Sequence, residues 1–153
     1  MTADAKPSLL RPLVEDLHAR REKARAGGGP DKIAKQHEQG KLTARERIDL
    51  LVDEGTFTEL GIHAQPHFSQ QAMAGREAPA DGVITGYGKV DGRMVAIAAY
   101  DFTVMAGSMG MTGEIKVARL REMALTKRMP MIWLLDSAGA RIQEAVGSLF
   151  AGS

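Results

Sequence analysis

Apolar positions change their spacing twice along the chain. Up to Gly55 they are sparse and helically spaced. Pro12 suits the first turn of a helix running to about Ala26, with Leu13, Leu17 and Ala24 as a thin apolar stripe. Gly27, Gly28, Gly29 and Pro30 stop it. A second helix over 31–39 is closed by Gly40. Thr43 and Glu46 form a T-x-x-E capping box for a third, whose buried face is Ile48, Leu51 and Val52 and whose end is Gly55. These helices carry much charge and few apolar residues, so they predict an arm lying on a larger body. Residues 57–62 read as a short strand. Residues 65–79 have no periodicity and read as a surface loop.

From Asp81 the pattern becomes that of strands. Val83, Ile84, Tyr87 and Val90 predict one, and Asp91-Gly92 predicts a type I′ hairpin turn. Residues 94–100 are nearly all apolar, as in a strand buried on both faces. A glycine-punctuated loop over 101–113 leads to a helix over 114–128, with Val117, Leu120 and Ala124 on one side, ended by Pro130. Residues 131–135 predict another buried strand. Asp136 to Gly139 predict a tight turn, with a helix from Ala140. The order is ββα followed by βα, an α/β arrangement. A hairpin and two βα pieces cannot cover both faces of a parallel sheet, so the domain reads as unfinished.

Composition alters this picture little. The length of 153 residues suits one domain, and 44% hydrophobic with 25% charged residues is ordinary for a globular chain. Glycine is in surplus: 17 of 153, about 11%, against a usual ~7%. The absence of cysteine excludes a disulfide framework, a cysteine-based metal centre and a thiol nucleophile. A net charge of +1 gives no overall case for nucleic acid. No apolar run reaches the ~18–20 residues of a membrane span. Asp4 and Lys6 with no apolar segment do not form a secretory signal, so a cytoplasmic location is expected. Arg20, Arg21, Lys23 and Arg25, then Lys41, Arg45 and Arg47, fit a solvated helix face. The sharper reading is a site for a phosphorylated ligand or an acidic partner.

Several motifs fail their context. Gly86-Tyr87-Gly88 precedes a hairpin, so it is no dinucleotide fingerprint. Gly107, Gly110 and Gly113 lack a following Gly-Lys-Ser/Thr. Ser137 lacks the flanking glycine of a nucleophile elbow. His63 and His67 are separated by Pro66 and joined by no further ligands, so no metal is expected. Glycine concentrates at two strand ends: Ala106-Gly107-Ser108, and Ser137-Ala138-Gly139 where a helix is expected to begin. Both suit ordinary strand–helix turns. Both also suit backbone N–H groups aimed at an enolate or oxyanion.

Three stretches carry a family resemblance: GGGPDKIAKQHEQGKLTARERIDLLVDEGTFTELG (27–61), ADGVITGYGKVDGRMVAIAAYDFTVMAGSMG (80–110) and LDSAGARIQEAV (135–146). The chain resembles the N-terminal part of the carboxyltransferase (β) subunit of biotin-dependent acyl-CoA carboxylases, such as those acting on propionyl-CoA. The resemblance implies a crotonase-like fold of ββα units, here incomplete. An arm and first strand would occupy 1–61, a loop 62–79, and the start of the acyl-CoA carboxyltransferase domain 80–153. It implies carboxyl transfer from carboxybiotin to the α-carbon of an acyl-CoA, with biotin carried on a partner and no metal in this chain. The partners implied are a biotin carboxylase or biotin carrier subunit and further copies of the chain. Two alternatives stand beside it: a non-catalytic CoA-binding or assembly fragment, and the carboxyltransferase subunit of a sodium-pumping decarboxylase.

By the same resemblance, Ala138 and Gly139 match a glycine pair whose N–H groups are candidate oxyanion donors. Gly107 is the candidate for lining the thioester pocket, with Ala106 and Ser108 beside it. Lys41 and Arg45 are candidates for CoA phosphates. Arg141 and Gln143 are expected to shape the turn rather than react. Ala138 and Ala106 stand where the family commonly has glycine, and their methyl groups would narrow the pocket or alter acyl preference. Such chemistry stabilises anions with preorganised donors, so it needs no side-chain base.

Overall fold

A computed structural model describes residues 10–66 and 71–144. Three helices come first, α1 (Arg11–Arg25), α2 (Pro30–Glu38) and α3 (Ala44–Leu51). Strand β1 (Thr58–Leu60) follows, then a hairpin of β2 (Val83–Val90) and β3 (Arg93–Tyr100), helix α4 (Met111–Lys127) and β4 (Met131–Leu134). The sheet order is β1-β2-β3-β4, with β3 and β4 parallel and the other pairs antiparallel.

Local signals set most boundaries. Pro12 occupies the first turn of α1. The Thr43 hydroxyl accepts from the Glu46 N–H at 3.3 Å, and the Glu46 carboxylate accepts from the Thr43 N–H at 2.7 Å, completing the capping box. Asp91 and Gly92 have φ of 50° and 76°, as a type I′ turn requires. Arg128, at φ 52°, closes α4 as a left-handed cap.

The strands alternate between two cores. Ala96, Ala98 and Tyr100 of β3 pack with Val117, Leu120 and Ala124 of α4. Val95, Ile97 and Ala99 face the other way and pack with Ala44 and Ile48 of α3. The second sheet face is therefore covered: α3 belongs to the core, which corrects the expectation of an uncovered face. By contrast α1 buries only Ala24, and its Leu13 and Leu17 are exposed.

Two further expectations change. Strand β4 is an edge strand among the described residues, and its Trp133 is 40% exposed rather than buried. No helix starts at Ala140. That residue bridges Met109, and Ile142–Glu144 form a single 3₁₀ turn. The rest of the expected helix lies outside the described residues, as does His67. No helix among the described residues is long and apolar enough to cross a membrane.

Candidate functional site

Because β3 and β4 are parallel, the segments after Tyr100 and Leu134 leave from one end of the sheet. The carboxyl ends of parallel strands are where α/β sheets receive ligands. After β3, Met105, Ala106 and Gly107 have φ of 48°, 55° and 61°, a short left-handed turn. Gly107 N–H donates to the Val104 carbonyl at 2.9 Å, and Ser108 N–H to that of Met105 at 3.1 Å. Left-handed backbone costs an L-residue roughly 1–2 kcal/mol, so Met105 and Ala106 must be held there by their surroundings.

The segment after β4 supplies part of that hold. Ala138 N–H donates to the Ala106 carbonyl at 2.9 Å. Met109 N–H donates to the Gly139 carbonyl, and Arg141 N–H to that of Met109, both at 2.9 Å. A Cβ on Gly107 would stand 2.2 Å from the Asp136 carbonyl oxygen, so only glycine permits this docking.

Arg141 locks the assembly from beneath. It is wholly buried. One terminal nitrogen donates to the carboxylates of Asp81 and, at 2.8 Å, Glu144. The other donates to the carbonyls of Asp81 at 3.2 Å and Ser108 at 2.9 Å, while Nε donates to the Ser108 hydroxyl at 3.2 Å. The two acids then cap α4: Asp81 accepts from Gly113 N–H and Glu144 from Met111 N–H, both at 2.6 Å. Burial raises the Asp81 pKa, opposed by its bonds to Arg141 and Gly113. Asp81 lies in a second left-handed turn, Ala80–Gly82, with φ of 52°, 51° and 73°. Lys116 braces that turn by donating to the carbonyls of Ala80 at 2.7 Å and Val83 at 2.6 Å. Burial lowers the Lys116 pKa to about 8.

The arm closes the site from the other side. Gly28 N–H donates to the Thr103 hydroxyl at 3.0 Å, and a Cβ there would stand 1.8 Å from the Thr103 carbonyl oxygen. Gln36 donates to the Asp136 carboxylate at 2.8 Å. Lys41 reaches the other Asp136 oxygen at 3.4 Å and lies 5.2 Å above the Phe102 ring. Lys32, Lys35 and Gln36 of α2 share a cavity of about 260 Å³ with Phe102, Thr103 and Ala106. Lys32 and Lys35 are exposed and pair with no carboxylate among the described residues.

The sequence profile of the carboxyl transferase domain matches residues 35–153. The chain belongs to the carboxyl transferase domain family. It is 48% identical over 136 residues to the propionyl-CoA carboxylase, carboxyltransferase subunit, of Haloferax mediterranei, covering 89% of this chain and 26% of that protein. It is 44% identical over 142 residues to the methylmalonyl-CoA decarboxylase subunit alpha of Propionigenium modestum, covering 93% and 28%. A crystal structure of transcarboxylase 12S with methylmalonyl-coenzyme A bound matches with a TM-score of 0.90 and 43% identity, covering 96% of this chain and 29% of that one. The chain thus spans just over a quarter of the relatives it matches, and its fold is the crotonase-like fold of these carboxyltransferases.

In this carboxyl transferase domain chain, the structure brings together Ala106, Gly107, Ser108, Ala138 and Gly139, with Lys41 alongside. It also changes what they offer. The Ala138 N–H is engaged by Ala106, and Gly139 N–H donates to the Ser137 hydroxyl at 3.0 Å. Neither belongs to an α-helix N-terminus, since residues 140–144 hold only the short 3₁₀ turn Ile142–Glu144. The Ser108 hydroxyl is held by Arg141. Arg45 is set apart, forming a two-pronged pair with Glu59 at 2.8 and 3.1 Å and lining a different cavity. Arg141 shapes the turn, as expected. Sequence reasoning missed Lys32, Lys35 and Gln36, although their i, i+3, i+4 spacing on an expected helix was a usable signal. It also missed Glu144, which lies three positions from Arg141 within the 135–146 stretch, and Asp81, whose partner is 60 positions away.

Proposed function

We propose that this chain forms the acyl-CoA side of a carboxyltransferase that moves a carboxyl group from carboxybiotin to the α-carbon of propionyl-CoA or a similar thioester. The observation that carries this reading is the docking of the two strand-end turns beneath an exposed stripe of lysines. Lys32, Lys35 and Lys41 hold the phosphates of coenzyme A. Ala106, Gly107 and Ser108 line the thioester end, where the Ala106 methyl restricts the acyl group.

Gly139 is the donor suited to an oxyanion. Among the described residues nothing stands within 4 Å of where its Cβ would be, and its N–H is held only by a neighbouring hydroxyl. That open backbone fits a biotin or thioester oxygen. Carboxybiotin, when bound, supplies the carboxyl group. The chain's part is to orient the thioester and to place the Gly139 N–H where negative charge develops. Loss of one such donor typically costs about 3–4 kcal/mol of barrier. Biotin arrives on a partner subunit's carrier, and copies of the chain assemble together.

The test is calorimetric titration of the folded chain with propionyl-CoA, followed by an assay of carboxyl transfer from carboxybiotin. Saturable binding at one site per chain is expected. A folded chain that binds no acyl-CoA overturns the reading. Binding without turnover in the complete assembly assigns the chain to a CoA-binding module instead.

A further inference from the structure

Helix α2 has an unusual seat. Gln36 is its only buried residue, at 4% exposure, so no apolar side chain of α2 is fully buried. The amide of Gln36 donates to Asp136 at 2.8 Å, with a longer contact of 3.4 Å to the Leu42 carbonyl. It lies on the same helix stripe as Lys32 and Lys35. Asp136, in turn, is the residue whose carbonyl packs against Gly107. Both oxygens of the Asp136 carboxylate are held from the arm, one by Gln36 and one by Lys41 at 3.4 Å.

We propose that Gln36 is a positioning residue: it couples occupancy of the lysine stripe to the docking of the Asp136–Gly139 turn on the Met105–Gly107 turn. The proposal rests on the reading of that stripe as the coenzyme A phosphate site. Phosphates on Lys32 and Lys35 tie α2 to the loop carrying Phe102 and Ala106. With α2 held in this way, the Gln36 amide holds the Asp136 carboxylate and with it the turn that follows β4. Binding of the non-reacting end of the substrate is thereby used to order the reacting end. The Ala138 amide reports the result, since its hydrogen bond to the Ala106 carbonyl exists only while the turns are docked.

The experiment compares hydrogen exchange at the Ala138 amide with and without coenzyme A, alongside calorimetry of coenzyme A binding. In the unaltered chain, coenzyme A is expected to slow this exchange about tenfold. In Gln36→Met, coenzyme A at saturation by calorimetry should slow exchange less than twofold. A Gln36 that is merely structural would raise exchange equally with and without ligand, leaving the tenfold ratio intact, and that result overturns the proposal. Gln36→Glu keeps the side-chain length, sets a carboxylate against Asp136, and should lose the ratio in the same way if the methionine variant fails to fold. If coenzyme A does not bind the unaltered chain, calorimetry shows that the phosphate-site reading has failed, and the proposal falls with it. Binding with an unchanged ratio in either folded variant overturns the coupling alone.

Discussion

Arg141 and Lys35 are cations at the same end of the sheet, with opposite surroundings. Arg141 is wholly buried, and its nitrogens are occupied by two carboxylates, two carbonyls and a hydroxyl. Lys35 is exposed, beside a cavity, and pairs with no carboxylate among the described residues. A buried charge is tolerated only when its partners are complete, and that completeness leaves nothing for a ligand. A solvated lysine costs little to keep unpaired and remains free to bind. One cation therefore builds the site, and the other serves it.

The largest test of this contrast is Arg141→Met. It strands Asp81 and Glu144 in the interior and is expected to destabilise the fold by about 3–5 kcal/mol. Urea unfolding measures this, and a loss under ~1 kcal/mol would break the comparison. Next comes Lys32→Ala with Lys35→Ala. Coenzyme A affinity should fall about tenfold for each lysine removed, while the melting temperature stays put. A fall in melting temperature without loss of affinity would move these lysines to the structural side.

Lys116 sharpens the contrast because it is a part-buried cation that donates to two carbonyls and, among the described residues, to no carboxylate. Its folded pKa of about 8 lies below the unfolded value of 10.5. Above pH 8 the folded lysine sheds its proton while the unfolded chain retains one, so stability should rise with pH. The slope from this group is at most about 1.4 kcal/mol per pH unit. Lys116→Met should abolish it in urea melts between pH 8 and 10. Above pH 10, Tyr100 acts in the opposite sense, because burial and its bond to Glu114 keep it protonated in the folded state. The smallest effect is expected for Ala106→Gly. Relief of left-handed strain outweighs the added freedom of the unfolded chain by about 0.5–1 kcal/mol. A destabilisation would mean that the Ala106 methyl makes contacts worth more than the strain.

Elements announced by neighbouring residues were legible. The capping box at Thr43 and Glu46, the Asp91-Gly92 turn and the Pro12 start each rest on contacts within a few positions. The ββα order followed from these and from the change of period at Asp81. The site was legible only in part. Its glycines marked where the backbone comes close, but Met105, Ala106 and Ala80 adopt left-handed backbone without any residue-type signal. Asp81 meets Arg141 across 60 positions, and Gln36 meets Asp136 across 100, distances at which spacing carries no information. The coverage of the second sheet face by α3 was hidden for the same reason: the apolar face with Ile48 was legible, but not that it packs on Val95, Ile97 and Ala99, far along the chain.

The Gln36–Asp136 contact also has a bearing on how the molecule is made. During synthesis α2 emerges about a hundred residues before the turn it must grip. Until β4 and that turn leave the ribosome, the one buried side chain of α2 has only its long local contact to the Leu42 carbonyl, and closing so long a loop is a slow event in folding. The hairpin and its flanking helices can assemble while translation continues. The pocket comes last, when α2 and the turn after β4 meet.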